Sequence, residues 1–389
     1  MGNDPVVIVS IARTPMGGLQ GDLASLTAPA LGAAAIKGAV ARAGLSGDDI
    51  QEVIMGNVLS AGIGQAPARQ AALAAGLPLG VGCTTINKMC GSGLKAVMLA
   101  HDLIHAGTND VMVAGGMESM TNAPYLLPKA RSGYRMGHGQ VIDHMFFDGL
   151  EDAYDKGKLM GVFAELCAEK FSFSRAAQDA FAIESLKRAQ AADFSAEIIP
   201  VTAKAGKEEI VIGQDEQPGK ARPDKIPTLK PAFKPDGTVT AANASSISDG
   251  AAAMVLMKKS DAEKRGLKIL ATIAGHATHA QEPAWFTTAP VGALQKLAHK
   301  TGWDLAQVDL FEINEAFAVV TMAAMAELNL PHDKVNVHGG ACALGHPIGA
   351  SGARVLVTLV AALEKYKLKR GMATLCIGGG EAVAVAVER

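Results

Sequence analysis

An α/β fold is what the sequence predicts, on three observations. Short continuous apolar runs alternate with helical patterns, as the strands of a parallel sheet do when helices cover both faces. The composition, 49% hydrophobic with 43 glycines, suits buried strands and closely packed helices better than a disordered chain or a secreted mini-protein. At 389 residues the chain accommodates two or three domains, or one duplicated unit.

The expected strands are Val6–Ser10, Val53–Gly56, Asp110–Ala114, Leu310–Ile313, Ala373–Ile377 and Ala382–Val387. Each is a short, nearly unbroken apolar run, too short for a core helix. Between Arg354 and Leu363, apolar Val355, Leu356, Leu359, Val360 and Leu363 recur at helical spacing, which predicts a helix with one buried face.

The two ends of the chain share a layout. GLSGDDIQEVIMGN at 44–57 and GWDLAQVDLFEIN at 302–314 both read as a turn, a polar helix start, a buried strand and then Asn. From Asn57 to Cys90 is 90 − 57 = 33 residues, and from Asn314 to His346 is 346 − 314 = 32. Small-residue turns opening helices follow, Gly91–Gly93 and Gly349–Gly352, then strands ending in glycines, VMVAGG and TLCIGGG. Matched order and spacing predict two related halves: 1–118 with 250–271, and 272–389. The Pro-, Gly- and charge-rich region 119–249 is too long for a connection and reads as an inserted loop domain.

A net charge of −2 argues against nucleic-acid or membrane-surface partners, which favour a basic excess. No segment has the ~18 apolar residues of a membrane span, and the N-terminus lacks the features of a signal peptide. Five scattered cysteines without a CxxC pair point to free thiols in a reducing compartment, hence a cytoplasmic or organelle-matrix enzyme without a metal site.

Four residues invite chemistry. Cys90, in NKMCGSG, sits at a strand-to-helix turn where peptide dipoles favour thiolate over the free-thiol pKa of ~8.5. A lone cysteine is more often a small core residue, so this reading needs a base. His346, in GHPIGASG, supplies one at the equivalent position of the second half. Cys376 precedes IGGG, whose free N–H groups suit an oxygen that becomes negative; a buried strand cysteine is the competing reading. Asn314, opening NEAFA, either holds a water or carbonyl, or caps the following helix.

Together these motifs, in this order and spacing, resemble those of the thiolases along essentially the whole chain. The resemblance implies a five-layered αβαβα fold of two duplicated halves, a coenzyme A-binding loop domain, and a homotetramer (dimer of dimers) or dimer. It implies no tightly bound cofactor, with coenzyme A thioesters as substrates, and a place in acyl-CoA and fatty acid metabolism. Within the family the chain looks most like the acetyl-CoA acetyltransferases. By that likeness Cys90 would be acylated, His346 would activate it, and Cys376 would be the acid/base at the second substrate's α-carbon. Asn314 would hold a water beside His346, and Gly378 would offer an N–H to an oxyanion.

The likeness also places Ser245 against the pantetheine arm, with Met160, Phe233 and Phe317 along the same channel. Lys220 and Arg222, crowded with Lys225, Lys230 and Lys234, suit the cofactor's phosphates, though a solvated loop explains each equally well. Three departures bear on acyl-chain preference: Leu159 before Met160-Gly161 where specific relatives often have His, Phe286 where bacterial relatives often have Met, and Glu381 after the glycines. The competing readings are a thiolase for longer or 2-methyl-branched chains and, from another class, a non-catalytic acyl-CoA-binding protein.

Overall fold

The computed structural model describes residues 4–389. In the N-terminal half lie β1 (Val6–Arg13), β2 (Glu52–Gly56), β3 (Gly82–Ile86), β4 (Val111–Ser119) and β5 (Ser248–Lys258), with helices α1 (Ala28–Arg42), α2 (Pro67–Ala74) and α3 (Ser92–His105). Between β4 and β5 come α4 (Met160–Phe171), α5 (Arg175–Ala191) and a small hairpin, Val201–Ala205 with Glu208–Ile212. In the C-terminal half lie β6 (Ala271–Ala280), β7 (Leu310–Ile313), β8 (Arg370–Ile377) and β9 (Glu381–Glu388), with α6 (Ala289–Thr301), α7 (Ala318–Leu328) and α8 (Ile348–Tyr366).

The long strands hydrogen-bond in the order β7-β8-β9-β6-β1-β5-β4-β2-β3. Outward from the β6–β1 seam the N-terminal side reads β1-β5-β4-β2 and the C-terminal side β6-β9-β8-β7, in each half the first, last, next-to-last and second strand. The N-terminal half adds β3, parallel to β2, and the C-terminal half keeps a trace of the same strand in the parallel bridge between Phe311 and Val335. The duplication read from spacing is thus a repeated topology.

The strand pairing corrects the expectation of a parallel sheet. Only β2–β3, β2–β4 and β7–β8 pair in parallel; every other ladder in the path is antiparallel. The turn between β8 and β9 shows why: residues 378–380 close a hairpin, with Gly379 at φ 93° and Gly380 at φ 88°, and a hairpin forces antiparallel strands. In the N-terminal half this corner is opened. The chain from Ser119 to Ser248 inserts 247 − 119 = 128 residues there, yet β4 and β5 still pair antiparallel.

Three of the strands were not anticipated. The edge strand β3, GCTTI, is polar and partly exposed, β6 alternates small and His residues, and β5 carries the apolar run AAAMVLM behind a polar start, SDG.

Apolar clusters mark five layers. One packs α1 and α2 on the N-terminal strands, one packs α6 and α7 on the C-terminal strands, and the central one joins α3 and α8 to strands of both halves. This position corrects the expectation for 354–363. The helix begins earlier, at Ile348, and every residue from Ile348 to Leu363 is buried, because a central-layer helix has sheet on both sides. Glycine sets the α3–α8 approach: a Cβ on Gly93 would lie 2.6 Å from Ala353 N, and one on Gly352 2.4 Å from Leu94 N. That contact brings both helix N-termini, and the turns before them, to one place.

Candidate active site

Cys90 stands in a tight turn between β3 and α3. Met89 adopts a left-handed φ of 47°, a conformation that costs a non-glycine residue about 1–3 kcal/mol. Hydrogen bonds hold it: Ser92 N donates to the Met89 carbonyl (2.9 Å), Gly91 N to that of Lys88 (3.0 Å), and Lys88 N to Ser92 Oγ (2.8 Å). Gly91 packs closely on Ile377, since a Cβ there would lie 2.4 Å from Ile377 Cδ1. The nucleophile turn therefore rests directly on the strand that carries Cys376. An ion pair between Lys88 and Glu381 joins the same two segments from outside.

The electrostatics differ from the sequence expectation. Cys90 is half-buried and precedes the Gly91 N-cap, but desolvation pushes its thiol up to about 11 rather than down. Hydrogen bonds from the backbone N–H groups of Gly378 and of Cys90 itself oppose the rise without reversing it. The dipole argument left out the loss of water around the sulfur. Cys376 is buried on β8, and its thiol is raised well above the ordinary value, first by burial and next by the charge of a Cys90 thiolate. Both thiols line the same cleft.

His346 is buried just before α8. Its Nδ1 lies 2.5 Å from Ser351 Oγ, which donates to the Pro347 carbonyl at 2.9 Å. Nε2 is buried with no hydrogen-bond partner among the described residues. Burial, then the charge of Arg354, lowers the imidazole to about 3. Asn314, fully buried after β7, does not cap α7, whose N-cap is Phe317. Its Nδ2 is 3.4 Å from His346 Nδ1, and its Oδ1 accepts from Arg354 Nη2 at 3.4 Å. Arg354 is itself paired with Glu312 at 2.6 Å, both buried.

A cleft of about 360 Å³ gathers most of the expected residues: Cys90, His346, Cys376 and Gly378, with Met160, Phe233, Ser245, Phe286 and Phe317 on its walls. Ser245 Oγ donates to the Ala316 carbonyl (2.9 Å), tying the inserted region to the segment after β7. Phe233 meets Phe317 edge to face at 6.0 Å, and Phe286 meets Phe163 likewise at 6.5 Å. Lys220 and Arg222 lie outside this cleft. They are exposed beside Lys225 at a neighbouring cavity of about 300 Å³ that shares Ala241 and Ser246 with it. Lys220 is committed to Glu216 and Asp22, and Lys234 to Glu169.

Sequence reasoning missed Glu118. Its buried carboxyl accepts from Asn57 Nδ2 (2.8 Å) and from the N–H groups of Val58 (2.9 Å), Leu59 (3.2 Å) and Gly349 (2.9 Å), so it ties the loop after β2 to the start of α8. Burial raises it to about 7. Ser351, Arg354 and Glu312 were missed too; their partners are remote in sequence or unremarkable in type.

Comparison with known proteins decides the family. The chain matches the family described as "Thiolase, N-terminal domain" over residues 6–260 and "Thiolase, C-terminal domain" over 267–389. The chain belongs to the thiolases. It is 52% identical to "Acetyl-CoA acetyltransferase 2" of Arabidopsis thaliana, over 98% of this chain and 96% of that one. With "Acetyl-CoA acetyltransferase" of Schizosaccharomyces pombe it is 49% identical over the full length of both. Among solved structures, Acat5 thiolase from Ascaris suum in complex with coenzyme A superposes with a TM-score of 0.93 at 42% identity, covering 99% of this chain and 100% of that one. The acetyl-CoA acetyltransferase of Bacillus anthracis superposes at 0.96 and 39% identity, covering 99% and 98%. The thiolase fold expected from the motifs is therefore the fold of this chain.

Proposed function

We propose that this thiolase is an acetyl-CoA C-acetyltransferase, condensing two acetyl-CoA into acetoacetyl-CoA and coenzyme A, and running the thiolysis in reverse. One observation carries the reading: two thiols and an imidazole with a bare Nε2 line a single, mostly apolar cleft beside backbone N–H donors. Full-length relatives named acetyl-CoA acetyltransferase support the choice of acyl group.

In the resting state the elevated Cys90 and depressed His346 are both neutral. Cys90 Sγ attacks the acetyl-CoA carbonyl and passes its proton to His346 Nε2. The N–H groups of Cys90 and Gly378 receive the oxyanion; losing one such donor costs ~100–1,000-fold in turnover. The departing coenzyme A thiolate takes the proton of Cys376. The resulting Cys376 thiolate then removes an α-proton from a second acetyl-CoA. The enolate attacks the acetyl group on Cys90, the carbon–carbon bond forms, and the S–C bond breaks. His346 returns its proton to Cys90. A water held by Asn314, with His346, stabilises the enolate oxygen.

The pantetheine arm runs along Met160, Phe233 and Ser245 of the 119–249 region and Phe317 after β7, and its phosphates reach Arg222 and, once released from Glu216 and Asp22, Lys220. Phe286 bounds the acyl pocket. The chain assembles as a homotetramer (dimer of dimers) or a dimer; in a tetramer the segment Tyr125–Met145, where Tyr125, Leu127, Met136 and Val141 stand exposed, joins the dimers. The enzyme works in the cytoplasm, in acyl-CoA metabolism, without a tightly bound cofactor.

The test is the rate of coenzyme A-dependent cleavage of acetoacetyl-CoA beside its 2-methyl and longer 3-ketoacyl analogues. Preference for acetoacetyl-CoA supports the reading. Equal or faster cleavage of the analogues replaces it with a broader thiolase, and no cleavage with a non-catalytic acyl-CoA binder.

A further inference from the structure

Away from the cleft, α3 and β6 bring three ligand-bearing side chains together across the two halves. His101 Nδ1 lies 3.0 Å from Asp102 Oδ1, and His276 Nε2 lies 2.8 Å from the same oxygen. The three atoms fall within 4.8 Å of one another. His105, one turn along α3, stacks on His101 with ring centroids 5.9 Å apart. None of these residues lines the thiol cleft.

We propose that His101, Asp102 and His276 form a binding site for a divalent transition-metal cation that bridges the two halves. Metal–nitrogen and metal–oxygen bonds of ~2.0–2.2 Å set tetrahedral ligand–ligand separations of ~3.3–3.5 Å. The rings therefore need to retreat from the carboxylate by about half an ångström and close on one another from a separation within 4.8 Å, by rotation about their χ angles. Both imidazoles are half-buried and their pKa values are lowered, so they are neutral at physiological pH, the form a metal requires. Coordination moves each ring proton to the other nitrogen and releases none. Asp102 is exposed, which leaves the remaining coordination positions to water. Two imidazoles and one carboxylate select zinc, cobalt or nickel over magnesium or calcium, which prefer all-oxygen sites. Lys300 faces the cluster, with its Nζ on the His276 carbonyl (3.2 Å), and its charge opposes a cation there; the Asp102 carboxylate offsets it.

Cobalt(II) chloride is the probe, titrated into the full chain and followed by visible absorption and thermal unfolding. One equivalent should bind with the ligand-field bands of a nitrogen–oxygen site and raise the unfolding temperature. His276→Asn and, separately, His101→Asn should each weaken binding at least ~10-fold and abolish the thermal shift, with acetoacetyl-CoA thiolysis unchanged as the check on folding. Cys90→Ser should leave the bands intact. Absence of stoichiometric binding, bands that survive both histidine substitutions, or thiolate charge-transfer bands lost in Cys90→Ser would each overturn the proposal.

Discussion

Ser351 Oγ lies 2.5 Å from Nδ1 of His346 while donating its own proton to the Pro347 carbonyl. Its one hydrogen is thereby committed, so it can only accept from the ring. In that arrangement Nδ1 carries the ring proton and Nε2 presents its lone pair at the cleft. Ser351→Ala removes this restraint on the tautomer. We expect kcat/KM for acetoacetyl-CoA thiolysis to fall about 10–100-fold, part of the ~100–10,000-fold that general acid–base catalysis supplies. Unchanged kinetics would show that the hydroxyl does not hold the ring.

The resting pair is neutral, and this has a pH signature. Only the thiolate of Cys90 reacts with iodoacetamide. With the thiol raised to about 11 and the imidazole lowered to about 3, the thiolate fraction climbs with pH and no imidazolium supports it near neutrality. Labelling of Cys90, read by peptide mass spectrometry, should rise about tenfold per unit between roughly pH 7 and 10. A plateau beginning below pH 8 would mean a preformed thiolate–imidazolium pair.

Cys376→Ser separates the two half-reactions. Acylation of Cys90 by acetyl-CoA should remain detectable as an acetyl adduct on the intact protein. Condensation should drop by ~100-fold or more, because a serine hydroxyl is a far weaker acid than a thiol. Retained condensation would remove Cys376 from its proposed role at the α-carbon.

The Lys88–Glu381 pair clamps the nucleophile turn to the glycine turn whose N–H faces the thiol. Partly exposed pairs contribute only about 0–1 kcal/mol to stability. Glu381→Gln should therefore unfold in urea within about 1 kcal/mol of the parent. Its kcat should nevertheless fall several-fold at unchanged KM, and the reversed pair Lys88→Glu with Glu381→Lys should recover part of it. A KM effect alone would point to substrate contact instead.

Glu118 satisfies four buried N–H donors at once. Glu118→Ala strands them, and each unsatisfied buried group costs about 1–3 kcal/mol. The expected loss is at least about 3 kcal/mol in urea unfolding, with Glu118→Gln milder because it keeps one acceptor oxygen.

Much of the architecture was legible in the chain. Apolar runs marked the strands that are buried on both faces, such as β1, β8 and β9, since burial on both sides leaves a continuous hydrophobic signature. Edge strand β3 left none, because its side chains meet solvent. Periodicity found the heart of α8 but gave it one buried face, since a sequence does not reveal how many layers surround a helix.

The sequence by itself determined that the two halves repeat one order of motifs, with Asn57–Cys90 and Asn314–His346 at matched spacings, and that Cys376 ends a strand before glycines. These are properties of covalent order, and spacing along the chain preserves them. Tertiary structure alone decided the protonation of these groups, the tautomer of His346 and the buried chain Glu312–Arg354–Asn314 that orients its neighbour. Desolvation and hydrogen bonding depend on which atoms surround a group in space, and those atoms come from segments tens to hundreds of residues away.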